Sequence, residues 1–442
     1  MHFDRSLLST DFAAIGHDII TPTLHDNLLV QVLAPTNLDL AWKRVKANKG
    51  SAGVDGMHIN DFPTFAQAHW ETIKQQLHNG TYRPQPVLRV EIPKPDGGKR
   101  LLGIPSVIDR IIQQAIHQVL NPLFDPEFSA YSFGFRPGCN AAQAVKHVQT
   151  GIISGHKIAV DIDLSKFFDR VDHDLLMHKL GCKIKDKALM RLIGKYLRAG
   201  IVDKGKRYRT QEGVPQGSPL SPLLSNIMLD ELDKTLEKRG HWFARYADDF
   251  TILVKSHRAG QRVLTSISVF LQRTLKLLVN ESKSRVGLVK QTKFLGFGFN
   301  RSRIQIHDNS LVRFKQRVRQ LTNRNWGIAM KKQIHQLNLY LRGWGNYFLI
   351  ANAYQLSIDL DHWIRRRIRM CYWRQWRRPR TKVRSLLKRG VPEKLAISCG
   401  ITSKGPWRSA KTKGINMALN NQFLKEEGLI ALRDIWIKVH HG

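Results

Sequence analysis

Two adjacent acids, Asp248 and Asp249, sit in the stretch RYADDFTILV (245–254), with aromatic and aliphatic residues on both sides. Neighbouring carboxylates repel, and burying an uncompensated charge near apolar groups costs several kcal/mol. A second acid pair, Asp161 and Asp163, ends the run IAVDIDL; two residues apart, the pair falls on one side of a strand. Asp-Asp alone is also a turn dipeptide, since Asp favours turns. If the two runs pair in one sheet, three or four carboxylates converge, and such a cluster stays ionised only around a hard cation. Oxygen-only ligands without His or Cys select Mg²⁺ or Mn²⁺. Two such ions are the usual apparatus for in-line attack on phosphorus, one activating the attacking oxygen and one stabilising the leaving oxygen.

Other stretches suit phosphoryl transfer. IPKPDGGKR sets Lys94 and Arg100 on either side of a turn, two cations able to cradle a triphosphate, although a solvated charged loop reads the same way. GVPQGSPLSP has glycines and prolines that allow close backbone approach, and its Gln216 is a neutral amide fit to touch a sugar or base.

The elements that hold these residues follow from spacing. NLDLAWKRVKANKGSAGVDG (37–56) predicts a helix and then a glycine-punctuated loop. LRVEIPKPDGGKRLLGIPS (88–106) predicts two strands around a Pro-Asp-Gly-Gly turn. VIDRIIQQAIHQVLNPLF predicts a helix stopping at Pro122, and NAAQAVKHVQTGI another helix. HKIAVDIDLSKFFDRVDHDLL reads as a strand running into a helix, and GVPQGSPLSPLLSNIMLDELDKTL as a loop opening a long helix. HWFARYADDFTILV reads as a hairpin whose turn carries the acid pair, and QTKFLGFGFNRSRIQIHD as a further hairpin.

The chain of 442 residues is long enough for two or three domains, and a hydrophobic content of 42% marks it as globular. A formal charge of +36 demands a polyanion or an anionic membrane as partner. No apolar run reaches the roughly 18 residues of a membrane span, and the N-terminus lacks a basic-then-apolar signal pattern. The four cysteines (Cys139, Cys182, Cys371, Cys399) are far apart and form no CxxC pair, which predicts reduced, buried thiols. Residues 301–390 carry roughly 22 Lys and Arg against about three acids, at helical spacing. There RFKQRVRQLTNRN presents Arg313 and Arg317. HWIRRRIRMCYWRQWRRPR interleaves Arg365, Arg366, Arg367, Arg369, Arg374 and Arg377 with Trp363, Tyr372, Trp373 and Trp376. Such arginines can pair with phosphates while the aromatics stack on bases or pack inward.

From about residue 37 to the C-terminus the chain resembles the group II intron-encoded proteins, reverse transcriptases with an attached maturase domain. The resemblance rests on KANKGSAGVDG, IPKPDGGKRLLGIPS, YSFGFRPG, DIDLSKFFDRVDHD, GVPQGSPLSPLLSNIMLDELD, RYADDF, KFLGF and LRGWGNYF, which follow one another in order. It implies an α+β fold of the right-hand polymerase type, with fingers, a palm built on an antiparallel sheet, a helical thumb and a basic C-terminal extension. The expected domains are an N-terminal extension (1–36), fingers and palm (37–300), thumb and maturase domain (301–390) and a basic nucleic-acid-binding region (391–442). The resemblance makes Asp163, Asp248 and Asp249 the catalytic and metal-binding aspartates, with Asp163 chosen over Asp161 by its distance from Asp169 of FFD. It makes Lys94, Arg100, Phe168, Gln216 and Lys283 nucleotide-binding residues, Phe168 being the ring under the sugar that excludes a 2′-hydroxyl.

The implied activity is RNA-directed DNA polymerisation with two Mg²⁺ ions, Mn²⁺ being a substitute, together with splicing and mobility of the encoding intron. The implied partners are group II intron RNA, an RNA template with a DNA primer, target DNA and dNTPs, without a membrane, in a bacterial cytoplasm beside the nucleoid. No stretch matches the His-Asn-His nuclease with paired cysteines that many relatives carry. Two rival readings are an RNA-binding splicing chaperone with an unused polymerase site and a domesticated or defence-related reverse transcriptase.

Overall fold

The computed structural model describes residues 27–93 and 98–442. Residues 1–26 and 94–97, the latter including Lys94, lie outside the described residues. Among the described residues ten strands alternate with helices: β1 (Val87–Pro93), β2 (Lys99–Ile104), β3 (Ile158–Ile162), β4 (Ile201–Asp203), β5 (Lys206–Tyr208), β6 (Trp242–Tyr246), β7 (Asp249–Val254), β8 (Arg285–Leu288), β9 (Phe297–Asn300) and β10 (Arg303–Ile306). This is the α+β class predicted. The chain forms two compact units, one of the residues up to Phe124 with Val171–Leu224, the other of Asp125–Arg170 with Ser225–Gly442.

In the first unit β1 and β2 make the predicted hairpin, with Leu88 opposite Ile104 and Pro93 opposite Lys99. β1 also runs parallel to β4, which turns back on β5. The helix Val107–Phe124 supplies the core, burying Ile111, Ile112, Ala115, Ile116 and Leu120 at helical spacing. The sequence placed its end at Pro122, but the helix continues to Phe124. A proline there removes one hydrogen bond close to the helix end, and the buried Leu120 and Phe124 on either side hold the last turn. The cysteine expectation also needs correction: Cys371 and Cys399 are buried, Cys139 is partly covered, and Cys182 is exposed because it caps the surface end of the helix His173–Gly181.

The second unit is built on an antiparallel sheet in the order β6-β7-β3-β8. The period-2 alternation of β3 assigns its two faces. Ile158 and Val160 face the helix His257–Thr274, whose Gly260 comes so close that a Cβ would stand 2.5 Å from a Val286 methyl. Ala159 points the other way, into a core shared with Leu253 opposite it and with Ala144 and Val145 of the helix Ala141–Ile153. Asp161 therefore lies on that second face, toward the end of the strand.

After the β9–β10 hairpin come the helices Asp308–Leu321, Met330–Phe348 and Tyr354–Gln375, then shorter helices to Leu432–His441. One apolar cluster runs from Ala144 and Leu253 through Phe297, Phe314, Trp344 and Trp373 to Ile415 and Leu432. The aromatic residues of the basic segment supply much of it: Trp373 is 1% and Tyr372 6% exposed. Of the two uses open to these aromatics, inward packing is the one found.

Candidate active site

β3 and β7 are neighbours, with Asp161 opposite Thr251 and Ile162 opposite Phe250. Asp163 is the first residue past β3, and Asp249 opens β7. The two acids of IAVDIDL have different surroundings. Asp161 accepts a hydrogen bond from the Thr251 hydroxyl at 2.9 Å and lies 3.8 Å from Arg285. Asp163 is exposed, and the backbone fixes it: its N–H donates to Ser284 Oγ (3.0 Å) and its C=O accepts from the Asn280 N–H (2.8 Å). Between Asp161 and Asp163, only the latter presents a carboxylate with no hydrogen bond from another side chain among the described residues.

Asp249 shows that the cluster is real. Its pKa is pushed up to about 7, first by desolvation, then by the charges of Asp248 and Asp161, with Asp163 adding a smaller push and Lys293 opposing them. Solvent reaches this carboxylate, yet protein crowds it. Among the described residues no three acids, histidines or cysteines stand in a ready-made metal cage. The other three carboxylates nevertheless stand close enough to act on Asp249, and their donors are oxygens only. The residues fit a hard cation on both counts.

The turn carrying Asp248 is held from beneath. Ala247 has φ of +61°, a left-handed conformation that costs a non-glycine residue about 1 kcal/mol or more. Arg245 offsets that cost. It is wholly buried, donates to Asp233 through two nitrogens, and also reaches Asn226 Oδ1 (3.0 Å) and the Ala247 C=O (2.9 Å). Burial pushes the Asp233 carboxyl up in pKa while Arg245 pulls it down. The segment YSFGFRPG lies alongside: the Phe133 N–H donates to the Arg245 C=O, and the Arg245 N–H to the Tyr131 C=O. A Cβ at Gly134 would stand 2.2 Å from the Ala247 nitrogen, so only glycine fits under this turn. Arg136 pins the same loop through Asp125 and the carbonyls of Ser129 and Ser132.

The remaining predicted residues divide between the units. Phe168 belongs to the second, on a 3₁₀ turn opened by Lys166 at φ +51°. Its neighbour Phe167 is the core residue, 2% exposed, while Phe168 is half-buried and keeps a free side. Lys283 is exposed in the loop whose Asn280 and Ser284 hold Asp163. Arg100 and Gln216 belong to the first unit. Arg100 is exposed on β2, and the Gly103 N–H of that strand donates to the Gln216 C=O at 2.8 Å.

The arginines of residues 301–390 fall into two groups. Arg313, Arg317, Arg374 and Arg377 are exposed. Arg366 instead stacks on Trp407, its guanidinium 3.6 Å from the ring centre, and donates to the Trp407 C=O. Arg367 donates to the hydroxyl and C=O of Thr322, and Arg369 to the C=O of Leu419 at 2.8 Å. Arg365 is half-buried, and its charge acts on Asp361, which receives the N–H groups opening the helix Leu432–His441.

Two residues beside the carboxylates escaped the sequence reading. Lys293, the lysine of KFLGF, is the cation that opposes the rise of Asp249. Tyr347 of LRGWGNYF donates its hydroxyl to the Leu295 C=O (3.1 Å); desolvation, Tyr246 and Asp249 together push its pKa up. Both lie in motifs already singled out, and only tertiary contact shows what they face.

A four-stranded antiparallel sheet that crowds aspartates from two adjacent strands is the frame of a template-dependent polymerase. Residues 92–299 match the family described as reverse transcriptase (RNA-dependent DNA polymerase), and residues 311–390 match the group II intron maturase-specific domain. Protein YkfC of Escherichia coli (strain K12) is 32% identical over 333 residues, 66% of this chain and 87% of that protein. The group II intron-encoded protein LtrA of Lactococcus lactis subsp. cremoris is 35% identical over 263 residues, 59% of this chain but 43% of LtrA. The chain thus matches less than half the length of that relative. It belongs to the group II intron-encoded reverse transcriptases with a maturase domain. No helix among the described residues is long and apolar enough to cross a membrane.

Proposed function

We propose that this chain extends a DNA primer on an RNA template with Asp163, Asp248 and Asp249 as the metal-holding residues, and that it binds a group II intron RNA and promotes its splicing and mobility. The observation that carries the reading is that Asp161, Asp163 and Asp248 stand close enough to act on Asp249, burial first and then those charges lifting it to about 7. Two Mg²⁺ ions on these carboxylates would supply a lowered pKa for the primer 3′-hydroxyl and charge neutralisation for the departing pyrophosphate.

The chain's own groups do the rest. Arg245 and Gly134 hold the Asp248 turn, the Asn280–Ser284 loop sets Asp163, and Thr251 with Arg285 keeps Asp161 engaged. Phe168 would pack under the sugar and refuse a 2′-hydroxyl. Lys94, Arg100, Gln216 and Lys283 would hold the nucleotide. The exposed Arg313, Arg317, Arg374 and Arg377 support the RNA role, and with RNA and target DNA as partners the activity would lie in the cytoplasm beside the nucleoid. The test is primer extension on an annealed RNA template. Asn at Asp163, Asp248 or Asp249 should lower the rate by a factor of at least about a thousand, roughly 4 kcal/mol of barrier. Near-normal extension by Asp163→Asn, with abolition by Asp161→Asn, would exchange the roles of those two acids.

A further inference from the structure

The first unit contains a cavity of about 470 Å³ lined by Gly80, Thr81, Arg83, Pro84, Lys195, Arg198, Ala199 and Arg207. Four of these eight residues are cations and none is an acid. Arg83, Arg198 and Arg207 are exposed, and among the described residues none of the three has a carboxylate partner. Like charges gathered in one concavity repel, and an anion bound among them would relieve that repulsion.

The wall is built to hold its shape. Lys195 spends its ammonium on the C=O groups of Gly80 (2.6 Å) and Tyr82 (2.9 Å). The buried Asp109 accepts from the Tyr82 hydroxyl at 2.8 Å and from the Gln85 N–H at 3.1 Å. Segment 80–85 is thereby fixed on both sides of Arg83. Beside Arg207, the β4–β5 hairpin presents Lys204, Lys206 and Arg209, all exposed.

The lining also says what the ligand is not. It has no aromatic ring on which a base could stack and no Asn or Gln amide to read a base edge. We propose that this cavity is a phosphate site of the first unit that grips a backbone phosphate of the intron RNA, independent of sequence, with the β4–β5 hairpin guiding the strand past it. The assignment of the polyanion to intron RNA rests on the function proposed above; the phosphate chemistry rests on the cavity alone.

The test uses the full chain and the exposed side chains only. Arg83→Ala with Arg198→Ala should weaken binding of a long structured intron RNA about tenfold at moderate salt and lower the salt slope by roughly one to two, as loss of two phosphate contacts requires. Lysine at both positions should restore most of the binding, and single Arg207→Ala should give a smaller loss in the same direction. Extension of a short annealed primer should be retained. Unchanged RNA affinity and slope in the folded double variant would overturn the proposal. So would calorimetry showing inorganic phosphate or pyrophosphate bound by wild type and lost in the variant while RNA binding stands, since the source would then be a free anion. Loss of short-primer extension in step with RNA binding would reassign the site to the template and primer. A wild-type chain that neither binds intron RNA nor extends a primer would refute the proposed function instead.

Discussion

Asp249 lies among three other carboxylates, and the direction of its pKa shift sets a pH dependence. In the unfolded chain it titrates near 4, in the folded chain at about 7. The folded state therefore binds the extra proton, and without metal the stability this group contributes is complete below the unfolded value and is lost as pH rises through the folded one. Asp249→Asn should raise the metal-free unfolding midpoint more at about pH 8 than at about pH 4. The carboxylate is open to solvent, which holds the gain to about 1 kcal/mol rather than the full shift. Cation and proton compete for the same oxygens, so at low Mg²⁺ primer extension should rise with pH through about 7, and added Mg²⁺ should move that limb to lower pH. A limb that ignores Mg²⁺ would separate the titration from metal binding. Phe168 gives a second test at this scale: Phe168→Ala should raise ribonucleotide incorporation relative to deoxyribonucleotide, and an unchanged ratio in a folded variant would leave its ring a packing residue. The acid cluster was legible from type and spacing, whereas the choice of Asp163 over Asp161 and the role given to Phe168 came only from the family resemblance. Gly134, Arg245 and Asp233 were not legible, because their reason is the backbone of a turn more than a hundred residues from Gly134.

At the scale of elements, the helix Tyr354–Gln375 shows where a charge pattern misleads. Its run RRRIR looks like a single cationic face, yet a helix turns those residues in different directions, and Arg366, Arg367 and Arg369 reach carbonyls of Trp407, Thr322 and Leu419. Arginine suits this use because its flat fork can bond a carbonyl while its face covers a tryptophan. Truncating both Arg367 and Arg369 removes a donor from the Thr322 and Leu419 carbonyls, leaving Thr322 only the weak Cys371 thiol, and should cost about 2–4 kcal/mol, seen as a lower unfolding midpoint. Arg374→Ala with Arg377→Ala touches exposed side chains only; it should leave the midpoint within about 0.5 kcal/mol of wild type and flatten the salt dependence of RNA binding. The opposite pattern would return Arg367 and Arg369 to the RNA surface. The β1–β2, β6–β7 and β9–β10 hairpins and β3 were legible because a period of two and a Gly- or Asp-containing turn are local signals; the short β4, β5 and β8 were not read. The two helical residues past Pro122 were not legible, because burial of Leu120 and Phe124 decides them.

For the molecule as a whole, polymerisation and RNA binding draw on charges of opposite sign. In the function proposed above, catalysis would use the carboxylates beside one sheet, whereas RNA binding would use the excess of cations that gives the chain its +36. The net charge announced a polyanionic partner at once, but only the folded chain separates cations that bond inward from cations that face solvent. Asp248→Ala with Asp249→Ala removes negative charge and mutual repulsion while leaving Arg313, Arg317, Arg374 and Arg377 in place. The double variant should bind intron RNA at least as tightly as wild type, with the same salt slope, because no phosphate contact is lost. It should also support splicing at moderate Mg²⁺, if the RNA carries that chemistry and the protein supplies only a stabilising surface. Primer extension by the same preparation should be undetectable. The measurement is a splicing time course beside an extension assay and a binding titration at several salt concentrations. A double variant that stays folded and RNA-bound yet fails to splice would show that the carboxylates take part in both activities.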